Sequence, residues 1–216
     1  MVLPAGRVLV EPGDDVTHAT FPCEGTAIAL VTVMADGRAA EAAVIGCEGA
    51  AGVIISAGEK PAFARAVVQM PGSALRLEAA RLEEARLVSG PLRDIVSRYA
   101  DSLLAQVLQS VACNALHPVE ARTCRWLLTM QDRAGSAELP LTQEHLAEQL
   151  GVRRTTVTRV MAELQAKGIL RHSRGKVLVT SRARLEQRAC ECYQAVRDHF
   201  TRVAPGLYPI TDADET

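Results

Sequence analysis

The stretch LTQEHLAEQLGVRRTTVTRVMAELQAKGILRHSRGKVLVT, residues 141–180, constrains the fold more than any other part of the chain. Thr142 is suited to cap a first helix, QEHLAEQL, because its hydroxyl can accept an orphan backbone N–H of the first turn. Gly151 suits a left-handed turn after that helix. RRTTVTRVMAELQAKG then carries the period of a second helix, and two short β runs flank Arg174-Gly175 as a hairpin. Leu146, Ala147 and Leu150 on the first helix face Val157, Val160, Met161 and Leu164 on the second. That packing fixes the second helix and leaves the other side of its N-terminal half outward.

Helix, turn, helix and hairpin is the order of a winged helix-turn-helix, in which the second helix enters the DNA major groove. The outward residues have the right chemistry. Arg153, Arg154 and Arg159 can donate paired hydrogen bonds to guanine. Thr155, Thr156 and Thr158 can bind phosphate oxygens or base edges, and Thr142 lies beside them. Arg171, Ser173, Arg174 and Lys176 on the hairpin can hold the flanking phosphates. Charge supports this reading. Residues 140–190 carry ten Arg/Lys against four Asp/Glu, whereas residues 1–139 carry twelve against sixteen. A basic segment joined to an acidic module is the pattern of a nucleic-acid binder, although the net charge of the whole chain is only -1.

Residues 1–78 read as a β domain. GRVLVEPGDD is a strand ending in a Pro-Gly turn. Two apolar runs meet at Asp36-Gly37, a strong hairpin signal. ARAVVQMPGSALRLE supplies two more strands around Pro71-Gly72, and CEGAAGVIIS between them reads as a turn of helix. Such short strands suggest a small barrel or jelly roll. With 48% hydrophobic residues but only seven aromatics, the core must be aliphatic.

Residues 79–116 read as connecting and dimerisation helices. Pro91 fits a first turn, and LRDIVSRYADSLLAQVLQSVACNAL has no internal Gly or Pro. Its apolar stripe, which includes Leu104, Leu108 and Val111, is too wide for one small neighbour, and its surplus could meet a second copy of the chain. The residues expected at that dimer contact are Leu92, Ile95, Val96, Tyr99, Leu103, Val107 and Ser110. VEARTCRWLLTMQDR follows as a helix with Trp126, Leu127 and Met130 inward. The DNA-binding domain is expected over 117–200 and a flexible tail over 201–216.

Taken together, the chain resembles a Crp/Fnr-family transcription regulator along nearly its whole length. The most specific part is LTQEHLAEQLGVRRTTVTRVMAELQAKGILRHSRGKVLV. The β segment matches the family's cyclic-nucleotide-binding-type roll at Gly13, Gly25, Gly46 and Gly52. ACECYQAVRDHF resembles a branch common in α-proteobacteria. The resemblance implies an α+β fold: a β-roll (jelly roll), a long dimerisation helix and a C-terminal winged helix-turn-helix. It further implies a homodimer on a near-palindromic double-stranded DNA site and contact with RNA polymerase.

By that resemblance, Arg154 and Arg159 fall on base-contacting arginines and Thr156 on a phosphate-contacting threonine. Thr155 departs from a base-reading glutamate, so the half-site should differ at that base pair. The nucleotide pocket also departs. Gly52-Val53-Ile54 lacks the ribose-binding acid, and Lys60-Pro61 stands where the family has Arg-Ser or Arg-Thr. Proline has no N–H for phosphate, and lysine lacks the guanidinium fork. A cyclic nucleotide is therefore not expected. The resemblance also implies a leading helix that this chain does not carry.

The six cysteines are Cys23, Cys47, Cys113, Cys124, Cys190 and Cys192. Without a signal-peptide pattern or a membrane-span run, the reading expects a cytoplasmic protein with reduced thiols and no membrane partner. Cys190 and Cys192 are expected within one helix, where positions two apart point to different sides. His18, His117, His145, His172 and His199 read as structural. No metal, haem or iron–sulfur cluster is expected, and no effector is legible. No catalytic residue is expected either. A cupin-like enzyme would need clustered histidines, and residues 1–78 hold only His18. A regulator with a degenerate sensor pocket, always active or controlled by abundance, stays open beside one with an unidentified effector.

Overall fold

The computed structural model describes residues 1–54 and 61–209. Its N-terminal half is a roll of two antiparallel sheets. The first has strand order β1-β7-β3, formed by Val2–Leu3, Gly72–Glu78 and His18–Pro22. The second has order β2-β6-β4-β5, formed by Val8–Val10, Arg65–Met70, Ala27–Val33 and Ala39–Ile45. Gly37, at φ 83°, closes the β4–β5 hairpin, and Ile28 pairs with Ile45 at its far end.

Alternation along β5 explains how the roll serves two cores at once. Ala43 and Ile45 point into the roll with Ile28, Leu30 and Val68. Val44, between them, joins the core of the C-terminal domain. Ala27 on β4 does the same, so that strand reads as a nearly continuous apolar run. The described part of CEGAAGVIIS is not helical. It holds turns and an isolated bridge from Ala51 to Thr20, because its small residues let helix side chains pack directly against backbone. A methyl on Gly49 would sit 2.2 Å from the Tyr99 ring, and one on Gly46 would sit 2.9 Å from Arg133 Cγ.

Helices α1 (Ala79–Val88) and α2 (Gly90–Leu116) follow the roll, split at Ser89, whose hydroxyl accepts the Leu92 N–H. His117-Pro118 ends α2, and α3 (Val119–Ala134) starts the C-terminal domain. That domain continues through β8 (Glu138–Leu139), α4 (Gln143–Leu150), α5 (Arg154–Ala166), β9 (Leu170–Ser173), β10 (Lys176–Val179), α6 (Arg182–Glu186) and α7 (Cys192–Val203). Trp126, Leu127 and Met130 of α3 share its core with α4 and α5.

Buried polar groups tie the roll to α2 and to the C-terminal domain. Gln106 of α2 accepts from Val44 N at 2.9 Å and donates to Val44 O at 3.2 Å. Arg133 pairs with Glu48 at 2.6 Å, with both side chains fully buried. Trp126 Nε1 donates to the Glu41 carboxylate at 3.0 Å. The expected loose tail also meets this seam at its start. Tyr208 is buried, and its hydroxyl donates to Asp132 at 3.0 Å. Residues 210–216 lie outside the described residues. No helix among the described residues is long and apolar enough to cross a membrane.

Candidate nucleic-acid interface

The interface begins with α4. Thr142 caps it by accepting the His145 N–H at 3.1 Å, and Gly151 ends it at φ 64°. A residue with a Cβ would be strained at that turn. Val157, Val160, Met161 and Leu164 of α5 are all buried against the domain core. The other side of α5 therefore stands clear. Arg153, Arg154, Thr155, Thr158 and Arg159 are exposed and Thr156 is half-buried.

The exposed charges are held lightly. Arg154 lies 3.9 Å from Glu144, and Arg159 lies 3.1 Å from Glu163. Exposed pairs of this kind contribute about 0–1 kcal/mol, so either guanidinium can exchange its carboxylate for a nucleic-acid acceptor. Thr158 is committed more firmly, donating to Gln143 Oε1 at 2.7 Å and lying 3.1 Å from Arg154 O. Gln143, which the sequence analysis did not single out, thereby ties α4 to the outward face of α5.

The wing stands next to this face. β9 and β10 pair in register from Lys176–Ser173 to Val179–Leu170, and Gly175 turns at φ 78°. β8 joins the same sheet through β10. Arg171, Ser173, Arg174 and Lys176 line its outer side, with Lys176 2.6 Å from Glu138. A concave groove runs between wing and helices, lined by Thr142, Gln143, Arg154, Ser173, Arg174 and Lys176. The structure thus brings Arg154 of α5 together with Arg174 and Lys176 of the hairpin on one groove, whereas Arg171 lines a separate recess with Gln165 and Leu170.

The long helix divides its expected contact residues between two faces. Val96, Tyr99, Leu103 and Ser110 are buried within the chain, and Val107 packs against the roll core. Leu92 packs beside Val96 near the roll, and Ile95 is 44% exposed. Val96, Tyr99, Leu103 and Ser110 are therefore corrected to intramolecular contacts, because the chain's own elements occupy the face they share. The outward apolar residues are Leu104, Leu108 and Val111, at 57%, 62% and 64% exposure. Their spacing of four and three places them on one stripe.

One recess inside the roll is apolar among the described residues. Val10, Val16, Leu30, Ile45, Ala66 and Leu103 line it, with Gly52 and Ala62 at its edge. No charged side chain of the described residues lines it. An adjoining recess that shares Val10, Val16, Gly52 and Ala66 is also lined by Arg7, Asp15, His18 and Arg76. Val53, where a ribose-binding acid would stand, is buried among Ala19, Ala50 and Leu82. Pro61 takes part in a bridge with Asp15, while Lys60 lies outside the described residues.

The cysteine reading needs a larger correction. Cys190 does not lie in a helix; it precedes α7, which begins at Cys192. The non-helical link turns both thiols toward the end of α2. There Cys113 and His117 meet them, and the four ligand atoms lie within 4.8 Å of one another. Neighbouring groups act on the thiols in opposite directions. A hydrogen bond with Cys190 is the main cause holding Cys113 below the ordinary thiol range. The same contact is the main cause pushing Cys190 up. The four residues make a possible metal-ligand set, which the sequence reading did not bring together. The missed signal was Cys113-x₃-His117 at a helix end, which places two ligands one turn apart.

Residues 121–188 match the Crp-like helix-turn-helix domain family. The chain carries a Crp-like helix-turn-helix domain. Around that domain, the fold is similar to that of solved Crp/Fnr-family transcriptional regulators over 88% of the chain. TTHB099, a CRP-family transcriptional regulator from Thermus thermophilus, aligns with TM-score 0.74 at 19% identity, covering 88% of this chain and 96% of its own. FixK2 from Bradyrhizobium japonicum aligns with TM-score 0.74 at 17% identity over the same shares, 88% and 96%. TTHA1359, a CRP/FNR-family regulator also from Thermus thermophilus, gives 0.69 at 21% identity, covering 88% and 97%. No curated protein matches the sequence. In the Crp-like domain, α5 is the second helix of the motif and β9–β10 its wing.

Proposed function

We propose that the protein is a homodimeric transcription regulator that binds double-stranded DNA sequence-specifically, is not an enzyme, and acts in the cytoplasm. The observation that carries this is the groove that brings Arg154 of α5 together with Arg174 and Lys176 of the wing. Arg154 and Arg159 read base edges, with guanine as the expected partner. Arg153, Thr155, Thr156 and Thr158 fix the helix in the groove through phosphates and neighbouring bases. Thr142 and the wing residues Arg171, Ser173, Arg174 and Lys176 hold the flanking backbone.

Two copies associate through the outward stripe of α2 formed by Leu104, Leu108 and Val111. A two-fold dimer reads a near-palindrome with half-site centres one helical turn apart. Contact with RNA polymerase is the expected route from binding to transcription.

The apolar Val53, at the position where the resemblance puts a ribose-binding acid, favours a second reading of its regulation. Burying a ribose without that polar partner would cost several kcal/mol. In this reading the roll answers to an effector other than a cyclic nucleotide, or transmits contacts without one, leaving activity constitutive or set by abundance.

Selection from a random DNA pool with protein purified without added ligand, at near-physiological salt, tests the proposal. The expected result is a palindrome with guanine-containing half-sites about one helical turn apart. Recovery of only sequence-blind, salt-sensitive DNA would overturn the base-reading role of α5 in the ligand-free protein. Added cyclic AMP should leave the affinity unchanged.

A further inference from the structure

We propose that Cys113, His117, Cys190 and Cys192 form a Cys₃His site for one tetrahedral zinc-class ion. Cys113 Sγ lies 3.5 Å from Cys190 Sγ, and Cys192 Sγ lies 3.4 Å from His117 Nδ1. All four ligand atoms fall within 4.8 Å of one another. A tetrahedron with Zn–S bonds of ~2.3 Å has edges of about 3.8 Å, and its S–N edges are slightly shorter. The set surrounds a point where one ion fits after small side-chain movements. A multi-iron cluster would attach its ligands to different irons and spread them wider.

The surroundings complete the site. His117 presents Nδ1 to the thiols while Nε2 lies 3.2 Å from the Glu191 carboxylate. A carboxylate on the far nitrogen of a histidine fixes the ring and leaves the near nitrogen free to ligate. The Gln109 amide donates to Cys192 Sγ at 3.0 Å, which suits a thiolate better than a thiol. The cysteines are buried, at 0%, 8% and 1% exposure for Cys113, Cys190 and Cys192. On binding, the thiols release their protons to solvent, and a divalent ion with three thiolates and a neutral imidazole carries a net charge of minus one. Arg122 and Arg125 supply nearby positive charge, both interacting electrostatically with Cys113.

The position gives the ion a structural role. Cys113 is in the last turn of α2, His117 is its C-cap, and Cys190 and Cys192 flank the start of α7. One ion would pin α7 to the joint between the long helix and the Crp-like domain. Four protein ligands leave no open position for catalysis.

The test uses the full-length protein, purified without chelator, and does not involve DNA, so it is independent of the proposed function. Elemental analysis should find one zinc per chain, and a strong chelator should remove it with a fall in melting temperature. Cobalt(II) added to the stripped protein should give the visible and thiolate charge-transfer absorption of a tetrahedral sulfur-rich site. Cys192→Ser should lose the metal. Glu191→Ala, at an exposed position, should keep its far-UV circular dichroism yet bind cobalt ~10–100-fold more weakly. If Cys192→Ser does not fold, the wild-type zinc content and cobalt spectrum still decide. Protein that carries no zinc and gives no tetrahedral cobalt spectrum overturns the proposal. So does a Cys113–Cys190 disulfide as the isolated form, or an iron–sulfur chromophore.

Discussion

The outward face of α5 draws its polar side chains from consecutive positions of one short segment, 153–159, whereas the thiols and imidazole at the α2–α7 joint come from positions 113, 117, 190 and 192. The first site is exposed and the second buried. The first needs only a helix with one side packed, so its residues announce themselves by period. The second needs two helix ends to arrive at one place, so the local Cys113-x₃-His117 spacing offers half of it and nothing local offers the rest. The long helix α2 connects the two, because it ends at the joint and positions the domain that bears α5.

The largest expected effect comes from separating the two faces of α2. Leu108→Asp should convert the proposed dimer to a folded monomer and lower affinity for the proposed palindromic site by ~10²–10⁴, since two linked half-sites bind with high effective concentration. Light scattering and binding to full and half sites check this. Leu103→Asp, pointing into the roll, should unfold the protein instead. If Leu108→Asp stays dimeric, the association surface lies elsewhere.

Arg159→Ala tests the local site alone. It should cost ~1–3 kcal/mol at the cognate sequence and relax preference at one base pair. An unchanged selected sequence would remove Arg159 from base reading.

Gly49→Ala tests assembly without touching either site. The added methyl meets the buried Tyr99 ring, and overpacking of this kind costs ~1–3 kcal/mol. Denaturant unfolding should show the loss. A neutral effect would mean that α2 can shift freely on the roll.

The smallest effect concerns the seam. Burial pushes the Glu41 carboxyl up to about 7, against the opposing hydrogen bond from Trp126. A raised acid pKa means that the folded state holds the proton more tightly than the unfolded state. Its stabilising contribution is full below the ordinary carboxylate range and fades as pH rises through about 7. Glu41→Gln keeps an acceptor for Trp126 but cannot ionise. Its melting temperature should fall less than that of the wild type between pH 5 and 8. Parallel profiles would remove Glu41 as the titrating group.

Much of the fold was legible because its signals are local. Asp36-Gly37 marked a hairpin, Pro91 a helix start, and Thr142 and Gly151 the two ends of α4. The outward face of α5 was legible for the same reason, since burial of Val157, Val160, Met161 and Leu164 dictates what must face outward. The outward face of α2 was only half legible. Periodicity showed that α2 has too much apolar surface, but not which part the roll would claim.

Sequence by itself determined the order of a β half, a long helix and a helix-turn-helix with its hairpin, the break at His117-Pro118 and the polar side of α5, because helix period, turn chemistry and capping act over a few residues. Tertiary structure decided that Val44 would face the C-terminal domain while Ala43 and Ile45 face the roll. It also decided that Tyr99 would be a core residue and Leu108 a surface one, and that Cys190 and Cys192 would meet Cys113 and His117. Those outcomes depend on how the chain folds back on itself over 77 residues between Cys113 and Cys190, a separation at which no local preference acts.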